Sequence, residues 1–121
     1  MGLTKKPVYI HEPTDLQCGQ AVLAMLSDKS VDETIKIVET DRETTLSDMK
    51  RALVVCGIAF DNERKAFDSI SQLPRVAILS LETPRCWHWS LYFDGMVYDP
   101  EHGVLPDLPE CNRKYYWKIK E

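Results

Sequence analysis

Cys18, His88 and Asp99 are the residues of this chain whose types, order and local settings could carry out chemistry. Cys18 stands where the polar run Asp15-Leu16-Gln17 gives way to Gly19-Gln20 and then to the apolar Ala21-Val22-Leu23-Ala24-Met25-Leu26. A thiol in that position opens a helix. The unsatisfied N–H groups and partial positive charge of a helix N-terminus favour a thiolate there. His88 lies in Trp87-His88-Trp89-Ser90-Leu91, and Asp99 lies in Tyr98-Asp99-Pro100. A cysteine, then a histidine, then a carboxylate can serve as nucleophile, base and orienting group.

The elements around them have to bring the three together. Side chains alternate along a strand, so His88, Ser90 and Tyr92 share one face while Trp89, Leu91 and Phe93 share the other. Asp94-Gly95 is a two-residue hairpin signal, and it folds Met96-Val97-Tyr98-Asp99 back beside the His88 strand. The residue opposite His88 then falls near Asp99 or just beyond it. A carboxylate at that distance would fix the ring tautomer and stabilise the imidazolium. His11 and His102 lie in polar, turn-like segments and read as solvated bystanders.

The rest of the chain reads as helices followed by a sheet. Residues 8–10 are a short extended lead-in, and Pro13-Thr14-Asp15 turns into a helix over about residues 18–27 that is apolar on most sides and therefore central. Ser30-Val31-Asp32-Glu33 is a capping box, followed by Val31, Ile35 and Val38 at helical spacing. A third helix begins near Thr45, turns Leu46, Met49, Leu53 and Val54 inward, and stops at Gly57. Residues 58–60 read as a short strand, and residues 67–73 as a brief helix. Strands are expected over residues 76–81, 87–93 and 96–99, with a closing strand over residues 115–119. The layout is an α+β domain in which a helical half carrying the cysteine helix packs on an antiparallel β-sheet.

A chain of 121 residues with 44% hydrophobic and 28% charged residues is expected to form one domain spanning residues 1–121. The net charge of −4 carries no basic footprint, so no nucleic-acid partner is expected. No apolar run approaches the roughly 20 residues needed to span a bilayer. The start Met1-Gly2-Leu3-Thr4-Lys5-Lys6-Pro7 has no apolar stretch behind its lysines and does not read as a secretory signal, which points to a cytoplasmic setting without membrane insertion. The four cysteines, Cys18, Cys56, Cys86 and Cys111, are scattered without the paired spacing of a zinc site. Cys86-Trp87-His88 could offer two ligands, but without a second close pair no metal and no cofactor is expected. Cys56, before Gly57, reads as a small buried hydrophobe.

Cys18-Gly19-Gln20-Ala21 opening its helix, with His88-Trp89 and Tyr98-Asp99-Pro100-Glu101-His102-Gly103 downstream, resembles the papain-like cysteine peptidases. The likeness is to the branch that cleaves double-glycine leader peptides from bacteriocins, and it covers residues 8–104. It implies a papain-like fold and a peptide or protein substrate. Carried over by position, it implies Cys18 as nucleophile, His88 as general base and acid, and Asp99 as orienting group.

One position departs from the family pattern, which has a glutamine six residues before the cysteine to donate to the oxyanion. Here that residue is Glu12. An ionised carboxylate cannot donate, and losing one such donor costs about 100- to 1,000-fold in rate. Three readings stay open. Glu12 is held protonated and donates as a neutral acid; Gln17 swings in as a substitute; or the domain is a catalytically impaired module whose cleft binds a peptide or protein. Beside the hydrolase and the binding module stands a plainer alternative, a helix-and-sheet domain whose Cys18 and His88 never meet.

Overall fold

The computed structural model describes residues 6–120, so the reading of the first five residues lies outside the described part. The helical half is built around α1 (Cys18–Ser27), which has every residue from Cys18 to Leu26 buried. Its lack of a polar face is what makes it central rather than peripheral. Gly19 permits its close seating, because a Cβ there would lie 2.5 Å from Thr44 Cβ and 3.1 Å from Trp89 Cδ1. The Gln20 amide donates to the carbonyls of Thr40 and Arg42, each at 2.8 Å, and holds the following loop against α1.

Both helices that pack around α1 begin with reciprocal caps: Ser30 with Glu33 on α2 (Val31–Val38), and Thr45 with Asp48 on α3 (Leu46–Val55). Arg51 of α3 donates to the last carbonyls of α2, Ile37 at 3.0 Å and Val38 at 2.8 Å. A cation is favoured at that end of a helix. Gly57, at φ +73°, closes α3, with Gly57 N–H bonded to Val54 O and Ile58 N–H to Leu53 O. That pair of bonds is the Schellman arrangement that a left-handed glycine allows.

The strands are β1 (Lys65–Ala66), β2 (Val76–Glu82), β3 (Trp87–Phe93), β4 (Met96–Asp99), β5 (Gly103–Leu105) and β6 (Lys114–Lys118). They form one sheet in the order β1-β6-β2-β3-β4-β5, and every neighbouring pair is antiparallel. Asp94 at φ +46° and Gly95 at φ +94° make the tight β3–β4 turn. Trp89, Leu91, Phe93, Ile78, Tyr98 and Trp117 face the helices in the main core. The opposite face is also covered. Ala77, Leu79, Leu81, Tyr92 and Val97 pack under Phe67, Ile70, Leu73, Leu105 and Leu108. Burial on both faces accounts for the continuous apolar stretch Val76-Ala77-Ile78-Leu79 of β2.

Several expectations need correction. Within residues 67–73 only Ile70–Gln72 coils, as a 3-10 turn ended by an extended Leu73. Residues 58–60 make a single bridge, Phe60 with Ile119, rather than a strand. The strands β1 and β5, of two and three residues, were not expected from the sequence. On α3 the inward stripe is Met49, Ala52 and Leu53, whereas Val54 is 70% exposed and Leu46 is 41% exposed. Val54 sits one residue round from Leu53 and turns to solvent, and Leu46 sits at the helix start, on the rim of a groove. Cys56, expected to be buried, is only half-buried. No helix among the described residues is long and apolar enough to cross a membrane.

Candidate active site

Cys18 is the first residue of α1 and is 8% exposed. The Gln17 before it leaves the helical conformation and makes no side-chain cap, so the N-cap side chain does not compete for the N–H groups at this helix start. The sheet comes to the thiol from the other side, where Trp89 N–H points at Cys18 Sγ at 3.4 Å. The Trp89 indole N–H donates to Thr44 O at 2.9 Å, which ties β3 to the loop that also receives α1.

His88 precedes Trp89 on β3 and is 5% exposed. Its Nε2–H donates to the Asp99 carboxylate, 3.0 Å from Oδ1 and 3.1 Å from Oδ2. The β3–β4 register, Leu91 opposite Tyr98, runs on to set Ser90 across from Asp99, so the carboxylate reaches His88 diagonally on the same face. Asp99 is fully buried and accepts from Ser90 Oγ and from the backbone N–H groups of Glu101 and His102. His102 Nδ1 also lies 3.0 Å from Oδ1, so this histidine is a partner of the site rather than a bystander. The β4–β5 turn, with Gly103 at φ +100°, folds His102 back onto Asp99.

Electrostatics follow from these contacts. Burial alone would lower the His88 pKa, but the hydrogen bonds and charges of Asp99 and Cys18 outweigh it and raise it to about 10. For Asp99, burial acts to raise the pKa, and the bonds from His88, Glu101 and His102 overcome it and bring it to about 2. The pair is therefore imidazolium and carboxylate across the neutral range. With Nε2 held by Asp99, Nδ1 is the ring nitrogen left for a further partner.

Glu12 arrives on the extended segment before α1. Its N–H donates to Pro100 O at 2.9 Å, and Tyr9 OH donates to Asp99 O at 2.6 Å, so this segment is laid along the β4–β5 turn. The Glu12 side chain is 5% exposed, and its Oε1 has no hydrogen-bond partner among the described residues. One ligand-type atom each of Glu12, Cys18 and His88 lies within 4.8 Å of the others. Burial pushes the Glu12 carboxyl above its ordinary pKa; the His88 charge opposes this, and Glu101, Asp15 and Asp99 reinforce it. The Gln17 amide donates to Asp41 O at 3.0 Å, so it is engaged with the α2–α3 loop.

A groove of about 670 Å³ opens over Cys18 and His88, walled by Leu16, Leu46, Trp87 and Trp89. Trp87 is 45% exposed there, while Tyr92 and Trp117 belong to the cores. At the surface Arg85 bridges Asp15 and Glu101, each at 2.9 Å, and clips the turn before α1 to the turn after β4. Sequence spacing offers no signal for that clasp. Cys86 lines the same groove, and all four cysteines are free thiols. No family model and no curated protein matches this chain.

Proposed function

We propose that the chain is a papain-like cysteine hydrolase acting on a peptide or isopeptide bond. The observation that carries the reading is the meeting of Cys18, His88 and Asp99 where helix and sheet join, under an open groove. The resemblance to leader-processing peptidases supports the same assignment. Sγ attacks the carbonyl carbon, and the imidazolium of His88 gives its proton to the departing amine. His88 then takes a proton from the water that attacks the thioester, and the C–S bond breaks to release the Cys18 thiolate beside the restored imidazolium. Asp99 holds the ring and its charge. The backbone N–H of Cys18 and the protonated carboxyl of Glu12, the form that burial favours, donate to the oxyanion. The reading carries with it a cytoplasmic setting, which the free cysteines support.

The test uses a second thiol of the same chain as its reference. A peptide carrying a thiol-reactive electrophile should modify Cys18 faster than the exposed Cys86, and His88→Ala should abolish the difference. Equal rates at the two thiols would overturn the reading. Glu12 at the oxyanion position favours a second one, a catalytically impaired module whose groove binds a peptide or protein. If Glu12 acts as an ionised carboxylate, Glu12→Gln should raise hydrolysis sharply. A site that hydrolyses nothing in either form, with Cys18 and His88 in place, is the binding module.

A further inference from the structure

Glu12, which keeps the buried Oε1 unpartnered, has a carboxylate oxygen within 4.8 Å of Cys18 and His88, whose thiolate and imidazole, once the ion displaces their protons, are both strong ligands for a borderline-soft cation. We propose that Glu12, Cys18 and His88 form a zinc site, in which the ion and the substrate compete for the same sulfur and the same ring nitrogen. All three side chains are buried, at 5%, 8% and 5% exposure, and their ligand atoms lie within 4.8 Å of one another. A tetrahedral zinc ion takes sulfur at about 2.3 Å and nitrogen or oxygen at about 2.0–2.2 Å. The three groups must close slightly around the ion. Glu12 has the freedom to do so, because no hydrogen bond holds its Oε1.

The donor set selects the metal. One sulfur, one imidazole nitrogen and one carboxylate oxygen suit Zn²⁺ or Co²⁺, whereas Mg²⁺ and Ca²⁺ prefer oxygen alone. The outer contacts fit as well. A zinc-bound histidine characteristically donates its other ring N–H to a carboxylate, and Asp99 already stands on His88 Nε2 at 3.0 Å. Three protein ligands leave a fourth position, and the groove supplies access to it. Cys86 and His102 are not members of the cluster.

The proposal shares its residues with the hydrolase reading but does not rest on it, because metal binding is read without turnover. Chelator-treated protein is titrated with ZnCl₂ in equilibrium dialysis and with CoCl₂ in absorption spectroscopy. One ion per chain and a thiolate-to-cobalt charge-transfer band are expected. The band should vanish in Cys18→Ser and persist in Cys86→Ser. Glu12→Ala should weaken binding by more than about tenfold, since even an outer-shell partner is worth about 10- to 100-fold. In the unaltered chain, one equivalent of zinc should protect Cys18 from iodoacetamide and leave Cys86 reactive, as mapped by mass spectrometry. This last measurement decides the matter if a variant does not fold. A Cys18 that stays unprotected, a band that survives Cys18→Ser, or a folded Glu12→Ala that binds as tightly as the parent chain overturns the site. A chain that binds zinc in this way yet hydrolyses no peptide refutes the hydrolase alone.

Discussion

Two carboxylates stand on either side of His88, and they are buried alike but served differently. Asp99 is 0% exposed and accepts from the His88 ring, Ser90 Oγ, two backbone N–H groups and the His102 ring. Glu12 is 5% exposed, and its Oε1 accepts from no described residue. Burial acts to raise both pKa values, yet Asp99 comes down to about 2 while Glu12 goes up. The donors around Asp99, which Glu12 lacks, are what turn the two carboxyls in opposite directions from a burial that raises both. The donors come from local geometry. Asp99 ends β4 at a turn whose N–H groups curl back on it, whereas Glu12 lies on an extended segment that spends its own N–H on Pro100.

If the donors around Asp99 exist to fix an anion, removing its charge should have the largest consequence. Asp99→Asn keeps the shape but can present an N–H to Nε2 and invert the tautomer, and it should lower kcat/KM by about 100- to 10,000-fold. Asp99→Ala strands a buried charge and several donors and should destabilise by about 3–5 kcal/mol, read from denaturant melts. The same pair sets the pH dependence of stability in chelator-treated protein. His88 has its pKa raised on folding, so its contribution is full below 6.5 and is lost as the pH rises toward about 10. Asp99 has its pKa depressed, so its contribution is full above 3.8 and is lost as the pH falls toward about 2. In Asp99→Asn both limbs should flatten together. Two unchanged limbs would show that the pair is not coupled.

Glu12 should behave in the opposite way. As a neutral donor it tolerates an amide, so Glu12→Gln should stay within about tenfold of the parent activity, while Glu12→Ala should lose about 100- to 1,000-fold. The stability sign also reverses. Because folding raises the Glu12 pKa above 4.5, its contribution is full in acid and is lost as the pH rises through the folded value. Glu12→Gln removes that loss, so its stability relative to the parent chain should increase from acid to neutral pH. A stability difference that shrinks over that range would mean the carboxylate is ionised and favourably held.

What the sequence made legible follows the same division. The Asp99 side was readable because it is local: Asp94-Gly95 sets the hairpin, and strand alternation puts His88 and Asp99 on one face. The cysteine helix was readable from its unbroken apolar run, as were the caps of α2 and α3. What escaped depends on contacts between distant segments. The Arg85 bridge to Asp15 and Glu101, the docking of Tyr9 and Glu12 on the β4–β5 turn, and the pairing of two-residue β1 with β6 leave no periodic trace. His102 read as a bystander because a histidine in a polar turn carries no sign of the direction in which that turn folds. On α3, apolar Val54 lies beyond the edge of the stripe that Met49, Ala52 and Leu53 turn inward, so an apolar residue type alone does not mark the buried face.

His102 supplies the smallest effect and the finest probe of the comparison. Its ring is one donor among several to Asp99 and is 48% exposed, while its backbone N–H holds the same oxygen whatever the side chain. His102→Ala should therefore cost about 0.5–1.5 kcal/mol, the net worth of one hydrogen bond, with a loss in kcat/KM of no more than about tenfold. His102→Asn, which can still donate, should recover part of both. The redundancy of the buried donors predicts this mildness: with the ring removed, Ser90, two backbone N–H groups and His88 still converge on the carboxylate. A His102→Ala loss as large as that of Asp99→Asn would make the exposed ring, rather than the buried network, what holds Asp99 in its charged form.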